Sequence, residues 1–279
     1  MNIEEGQLRL DIDEESLIVQ SNSMAMARYS MTALEQKVFL IILSTINKND
    51  VDFNLTTLRV KDMADIMKVH PNILYRDLKK ICKNLLGNVI EIPTYENDWE
   101  LVTLFKYAKY KGKDGTVTFK INEEAKPYLL ELRELFFKME IGEVLLLDGK
   151  YSLRLYQIAK SNLFSGVCTI TIDELKNVLK LTQKSYNKFS NIKNKVITPS
   201  LDEINSKTEI NISCEYIKTG KEIKSIKLII KNNKRRKAIL KPSKSSFNNF
   251  TPRNYNYEDL EKGLLGWDDS ITIEDVTLD

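Results

Sequence analysis

One order of elements occurs twice in this chain. In residues 33–121 an apolar-periodic helical segment is followed by a second short helical segment, a basic helical segment and two strand-like runs joined by a Lys-Gly turn. The same order returns between residues 151 and 231. Each copy must bury its own apolar faces, so a repeated order restricts the fold more than any single motif does.

The first copy has its own punctuation. Leu17 to Val19 reads as a short strand. Thr32 is an N-cap, and Glu35 three residues later completes a capping box. Leu34, Val38, Ile41, Ile42 and Thr45 recur at helical spacing, so 33–47 reads as a core helix ended by Asn47-Lys-Asn-Asp. A second helix fits 57–68. A third fits 72–86, with Gly87 as its left-handed stop. Strands are expected at 88–93, 99–110 and 116–121, the last two joined by Lys111-Gly-Lys-Asp-Gly115. Residues 123–137 read as a helix and 140–150 as a short apolar segment and linker.

The second copy opens with a helix from Tyr151 to Leu163 and a strand at 169–172. Asp173 is expected to cap a helix over 174–180. A polar turn at 182–185 leads into a long helix in which Pro199 either makes a kink or starts a new segment. Strands 209–217 and 222–231 enclose Lys218-Thr-Gly-Lys221.

Helix, short helix, basic helix and hairpin make the winged-helix plan. The predicted fold class is α+β, with two tandem winged-helix (helix-turn-helix plus β-hairpin) domains. The expected division is a mobile N-terminal segment at 1–23, domains at 24–140 and 141–233, and a basic linker with an acidic tail at 234–279. The length of 279 residues suits two domains.

The net charge of +3 conceals a strong asymmetry. Residues 176–237 hold 16 Lys/Arg against 5 Asp/Glu, whereas 1–18 hold six acids and one Arg, and 254–279 eight acids and one Lys. A basic block between acidic ends implies a polyanionic partner for the middle. The duplicated plan suggests two successive stretches of duplex DNA. Cys82, Cys168 and Cys214 are too dispersed for a metal site and read as reduced thiols in a cytoplasmic protein. No signal peptide or membrane span is expected.

The second basic helix carries the sharpest expectation. Lys184, Asn187, Lys188, Asn191, Asn194 and Lys195 follow at intervals that place them on one helical face, opposite Phe189, Ile192 and Val196. Asn pairs bidentately with adenine, and Lys reaches guanine or phosphate. An isolated helix of this kind is more simply a solvated face, but the preceding turn and the following basic hairpin favour DNA. Lys218, Lys221, Lys224 and Lys227 suit a wing lying along phosphates, although Lys also protects edge strands. Asn72, Arg76, Lys79, Lys80 and Lys83 make a similar face in the first copy, with Arg76 the best base reader; self-association is the other role open to that copy. Residues 231–237 form a basic run that suits either backbone contact or a linker. His70 is the single histidine, in the turn before the first basic helix. The acidic, aromatic stretch 255–267 suits either a docking peptide or a segment packed on its own domain.

Catalytic signals are missing from the sequence. It has no phosphate-binding Gly-x-x-x-x-Gly-Lys-Ser/Thr loop. One histidine does not make the two-histidine metal site of a strand-nicking endonuclease. The expectation is a binding protein with no cofactor and no metal.

Several stretches resemble one family. They are Leu17-Ile-Val-Gln-Ser-Asn-Ser, Ala27-Arg-Tyr-Ser-Met-Thr-Ala-Leu-Glu-Gln-Lys37, Tyr151-Ser-Leu-Arg-Leu-Tyr156, the run from Ser185 to Asn205, and Tyr216-Ile-Lys-Thr-Gly-Lys221. In this order they resemble the Rep initiators of theta-replicating, iteron-bearing plasmids, the RepB-type initiators. The resemblance implies monomers that bind direct repeats at an origin, open an AT-rich duplex and recruit the host replicative helicase or initiator. It implies dimers that repress their own gene. It assigns the main reader to 184–198, and a dimer contact with further DNA contacts to 24–121. The other readings are a tandem winged-helix transcriptional repressor, an adaptor working through protein contacts and, more distantly, a nicking enzyme.

Overall fold

The computed structural model describes residues 16–45, 55–93, 98–129 and 136–233. Residues 1–15, the 231–237 run beyond 233 and the acidic tail lie outside the described residues, as does the Asn47-Lys-Asn-Asp stop. By contact the chain divides at residue 238, and everything described belongs to the first unit.

Strand β1 (Leu17–Ser21) and helix α1 (Asn22–Met26) lead to α2 (Ala33–Ser44). The capping box forms as expected: Thr32 Oγ1 accepts from Glu35 N–H at 3.3 Å, and Thr32 N–H donates to Glu35 Oε2 at 2.8 Å. Val38 to Leu43 are all buried, so α2 is packed on every side. Then come β2 (Thr56–Arg59), α3 (Val60–Ile66) and α4 (Pro71–Gly87). Next are β3 (Val89–Pro93), β4 (Trp99–Thr103), β5 (Phe105–Lys111) and β6 (Thr116–Ile121). A 3-10 turn (Glu123–Ala125), α5 (Lys126–Leu129), β7 (Phe136–Glu140) and α6 (Ile141–Leu145) complete this half.

The second half opens with α7 (Lys150–Ser161), β8 (Val167–Thr171) and α8 (Ile172–Val178). A 3-10 turn (Lys184–Asn187) precedes a helix in three parts: α9 (Phe189–Ile192), a π turn (Lys193–Ile197) and α10 (Thr198–Lys207). Strands β9 (Ile210–Thr219) and β10 (Glu222–Asn232) form the closing hairpin.

The two copies share one sheet topology. The first copy's sheet runs β2-β6-β5 and the second's β8-β10-β9. In both, the strand after the first helix pairs antiparallel with the last strand of the hairpin. The fold is therefore two winged helices. The first differs by an inserted ribbon, β3-β4, between its basic helix and its hairpin.

Several local expectations need correction. The segment 57–68 begins as strand β2, because Thr56 to Arg59 pair with Phe119 to Thr116. Gly87 is the last helical residue rather than a left-handed stop. Asn88 follows extended (φ −82°, ψ 108°) and donates its amide to Ser30 O at 2.9 Å, which turns the chain straight into β3. The single strand expected at 99–110 breaks at buried Leu104, since β4 pairs with β3 whereas β5 pairs with β6. Of the helix expected at 123–137, residues 123–129 are a 3-10 turn and α5, 130–135 lie outside the described residues, and Phe136 and Phe137 sit in β7 against β1 rather than in a helix. The short apolar segment expected at 140–150 is helix α6, with Ile141, Val144 and Leu147 fully buried. Thr171, not Asp173, caps α8 by accepting from Glu174 N–H at 3.1 Å.

The two halves share a buried polar junction. The Arg154 guanidinium donates to Tyr29 Oη, to Gln157 Oε1 at 2.7 Å, and to the carbonyls of Ala25 and Ala27 at 3.0 and 2.7 Å. It also stacks 4.0 Å from the Tyr29 ring centre. Gln36 donates to Met31 O and Lys150 O, and Lys37 to Leu145 O and Asp148. These bonds tie α1 and α2 to α7 and the residues before it.

Candidate nucleic-acid interface

The second basic helix starts later than its sequence pattern suggests. Lys184 and Asn187 lie on the 3-10 turn, and Lys188 is extended (φ −90°, ψ 119°) at the helix N-cap. Buried Tyr186 pins the turn to the core. Asn191 holds it from the helix side, donating Nδ2–H to Ser185 O at 2.7 Å. The expected single face is thus a basic loop followed by a helix. Lys184, Asn187, Lys188, Asn194 and Lys195 are exposed, and Asn191 is half-buried.

The backbone stays helical through Pro199, which sits in the first turn of α10 directly after the π turn. Proline has no N–H to give the Lys195 carbonyl, and its ring crowds that position. The chain responds with a wider turn, in which Thr198 N–H donates to Lys193 O five residues back. Ile192, Val196 and Ile197 remain buried beneath it. Ser190, Lys193 and Thr198 are exposed as well, residues that the face drawn from the sequence left out.

The helix start is tied to the wing. Phe189 packs edge-on against Tyr216 of β9, with ring centres 5.4 Å apart. Lys193 Nζ sits 5.0 Å from the same ring. Between β9 and β10, Gly220 takes φ +64° at the tip. Lys218, Lys221 and Lys224 are exposed there. Lys224 pairs with Glu222 at 2.7 Å and Lys227 with Glu215 at 3.7 Å, so part of the wing's charge is offset locally.

The first copy repeats the arrangement. His70 caps α4, its Nδ1 accepting from Asn72 N–H at 3.2 Å. Leu74, Leu78, Ile81 and Leu85 face the core. Asn72, Arg76, Lys79, Lys80 and Lys83 face outward. Arg76 is engaged by its neighbour, donating from Nε and Nη2 to the two oxygens of Asp77, both at 2.9 Å. That contact holds the Asp77 carboxyl below its ordinary range. Burial pushes the Cys82 thiol, partly buried on α4, up to about 11, which keeps it protonated.

From sequence, the first hairpin is placed but none of its residues is assigned to DNA. The strand order makes the β5-β6 hairpin equivalent to β9-β10. It exposes Tyr107, Lys109, Tyr110, Lys111 and Lys113. The signal was present as alternating Lys and Tyr, but its role depends on which strand of the sheet it occupies.

Among the described residues no cluster of His, Cys, Asp or Glu would hold a metal ion. No helix among them is long and apolar enough to cross a membrane.

These features define a tandem winged-helix protein with a basic helix and a basic hairpin in each copy. Residues 17–160 match the family described as Initiator Replication protein, WH1, and residues 171–230 match Initiator Rep protein, WH2. The chain belongs to this family of replication initiators. A replication initiation protein of Escherichia coli is 24% identical over 208 residues, covering 71% of this chain and 65% of that protein. The PI protein of Escherichia coli is 22% identical over 259 residues, covering 79% of this chain and 84% of its own. A probable replication protein of Bifidobacterium longum (strain NCC 2705) is 22% identical over 205 residues, covering 71% and 67%. The crystal structure of Pi initiator protein in complex with iteron DNA has the same fold, with a TM-score of 0.66 at 21% identity. The match covers 78% of this chain and 98% of that one.

Proposed function

We propose that this chain initiates replication of the DNA that encodes it by binding duplex repeats at the origin. The observation that carries the proposal is the doubled topology, in which each copy presents a basic helix beside a basic hairpin. A helix of this size fits the major groove, and a hairpin beside it reaches the flanking phosphates. Membership in the initiator family and the likeness to a protein solved with iteron DNA support the same reading.

The work is done by binding energy. Lys79, Lys80, Lys83, Lys188, Lys195, Lys218 and Lys221 displace counterions, which supplies affinity. The Asn residues of the second copy, with Arg76 in the first, read base edges. Strain in the bound duplex favours opening of the adjacent AT-rich tract. We assign no catalytic residue and no cofactor. The working division stays at residue 141, with the protein acting in the cytoplasm. A monomer–dimer equilibrium, repression of its own gene and a contact with the host replicative helicase complete the proposal.

Footprinting of the full chain on the DNA flanking its own coding sequence tests this. Regularly phased protection over direct repeats beside an AT-rich tract is the expected result. Protection of one inverted repeat alone would make the protein a repressor. No protection at moderate salt would overturn the DNA-binding reading and turn attention to protein partners.

A further inference from the structure

The charges at the junction of the two copies form a clasp. Arg28 lies between α1 and α2, and its main chain exchanges hydrogen bonds with Glu91 of β3 at 2.7 and 3.2 Å. Its guanidinium donates to Glu91 Oε1 at 2.6 Å, and to both oxygens of Glu174 at 3.3 and 2.8 Å. Glu174 sits in the first turn of α8. Lys180, just past α8, reaches back to Glu91 Oε2 at 3.3 Å. The signs alternate along Lys180, Glu91, Arg28 and Glu174.

The placement of these residues matters more than their number. Strand β3 begins two residues after α4, the basic helix of the first copy. Helix α8 leads through one turn into the basic loop and helix of the second. The clasp therefore joins the supports of the two DNA-facing helices directly. The Arg154 junction holds α1 to α7 and does not span β3 and α8. Arg28, Glu91 and Glu174 are about three-quarters buried, and a forked guanidinium between two carboxylates is directional.

We propose that Arg28, Glu91, Glu174 and Lys180 are positioning residues that set the separation and angle between the two basic helices, so that the protein accepts one spacing between the two DNA segments it reads. This rests on the DNA-binding reading above. Two linked modules gain from each other only where the geometry lets both engage. One inserted base pair turns the second segment by about 35° and moves it by about 3.4 Å. A clasped protein loses its second contact on such DNA, whereas an unclasped one follows the displaced segment.

The test uses the full chain and the duplex protected in the footprint. Versions of that duplex carry two or five extra base pairs between the segments covered by the two halves. Fluorescence anisotropy is measured for the wild type, Glu174→Gln, Lys180→Gln and Glu91→Gln, with circular dichroism as a check on folding. We expect the wild type to lose affinity about tenfold or more on the two-base-pair insertion. The variants should bind the original duplex within about threefold of wild type and lose less than about threefold on insertion. Should Glu91→Gln fail to fold, the other two variants, in α8 and just past it, carry the comparison. Equal insertion losses in variants and wild type would overturn the clasp while leaving DNA binding intact. So would a loss in the variants that is uniform over every duplex. A wild type without sequence-specific binding to any of these duplexes would overturn the DNA-binding reading, and the clasp with it.

Discussion

Asn191 and Asn194 look equivalent in the sequence and differ in what holds them. Asn191 donates to Ser185 O and so supports the turn before the helix, while Asn194 is exposed. Asn194→Ala should therefore cost about 1–3 kcal/mol on the specific site and little on random DNA, with no change in melting temperature. Asn191→Ala should lose specific affinity and also lower the melting temperature, by the equivalent of about 0.5–1.5 kcal/mol. Parallel titrations and thermal melts separate the two. Lys221 at the second wing tip has a different role, since a phosphate contact carries no base information. Lys221→Ala should weaken specific and random binding alike and reduce the salt slope by about one, as read from affinity against salt concentration. The basic residues of this interface were legible in the sequence because charge and spacing are local. That Asn191 is partly engaged, and that Arg76 is paired with Asp77, depended on where side chains meet.

At the scale of elements, the two wing tips predict unequal tolerance. Gly115 and Gly220 both hold left-handed conformations, with φ +62° and +64°. A Cβ at Gly220 would meet nothing within 4 Å, but one at Gly115 would lie 3.0 Å from the Tyr75 hydroxyl on α4. Gly220→Ala should cost about 1–2 kcal/mol from backbone strain alone. Gly115→Ala should cost more, because Tyr75 must also move. Chemical denaturation of both variants checks the order. Elements with strong local punctuation were readable: α2 from its capping box, the hairpins from their Lys-Gly turns. The π turn was not, since it arises only where Pro199 must stay helical over a core holding Ile192, Val196 and Ile197.

The whole molecule depends on a junction that no single copy explains. Arg154→Met would remove a buried guanidinium that donates to the Ala25 and Ala27 carbonyls and to Tyr29 Oη, leaving Gln157 Oε1 only the Tyr29 hydroxyl as donor. We expect it to destabilise the chain by about 3–5 kcal/mol, measured by urea unfolding. The clasp adds a pH dependence. The hydrogen bond from Arg28, followed by that from Lys180, holds the Glu91 carboxyl below its ordinary range against an opposing effect of burial. Its folded value is depressed, so the native state binds fewer protons there than the unfolded chain. The stabilisation is full above the ordinary carboxylate value of about 4.3 and is lost as pH falls through the lower folded value. Melting temperature should thus fall as pH drops below about 4.3, and Glu91→Gln should fall less than wild type there.

By itself the sequence determined the duplication, the apolar faces of the main helices, the hairpin tips and the concentration of positive charge. Each of these is a property of residues near one another in the chain, where periodicity, capping and turn chemistry act. Tertiary structure decided the rest. Strand β2 exists because β6 pairs with it, and β7 exists because β1 does. The place of the first hairpin in its sheet makes it the counterpart of β9-β10. The clasp joins Arg28, between α1 and α2, to Glu91 of β3 and Glu174 of α8, residues brought together across both copies. Hydrogen bonds over such sequence separations depend on the packed geometry, and no local pattern encodes that geometry.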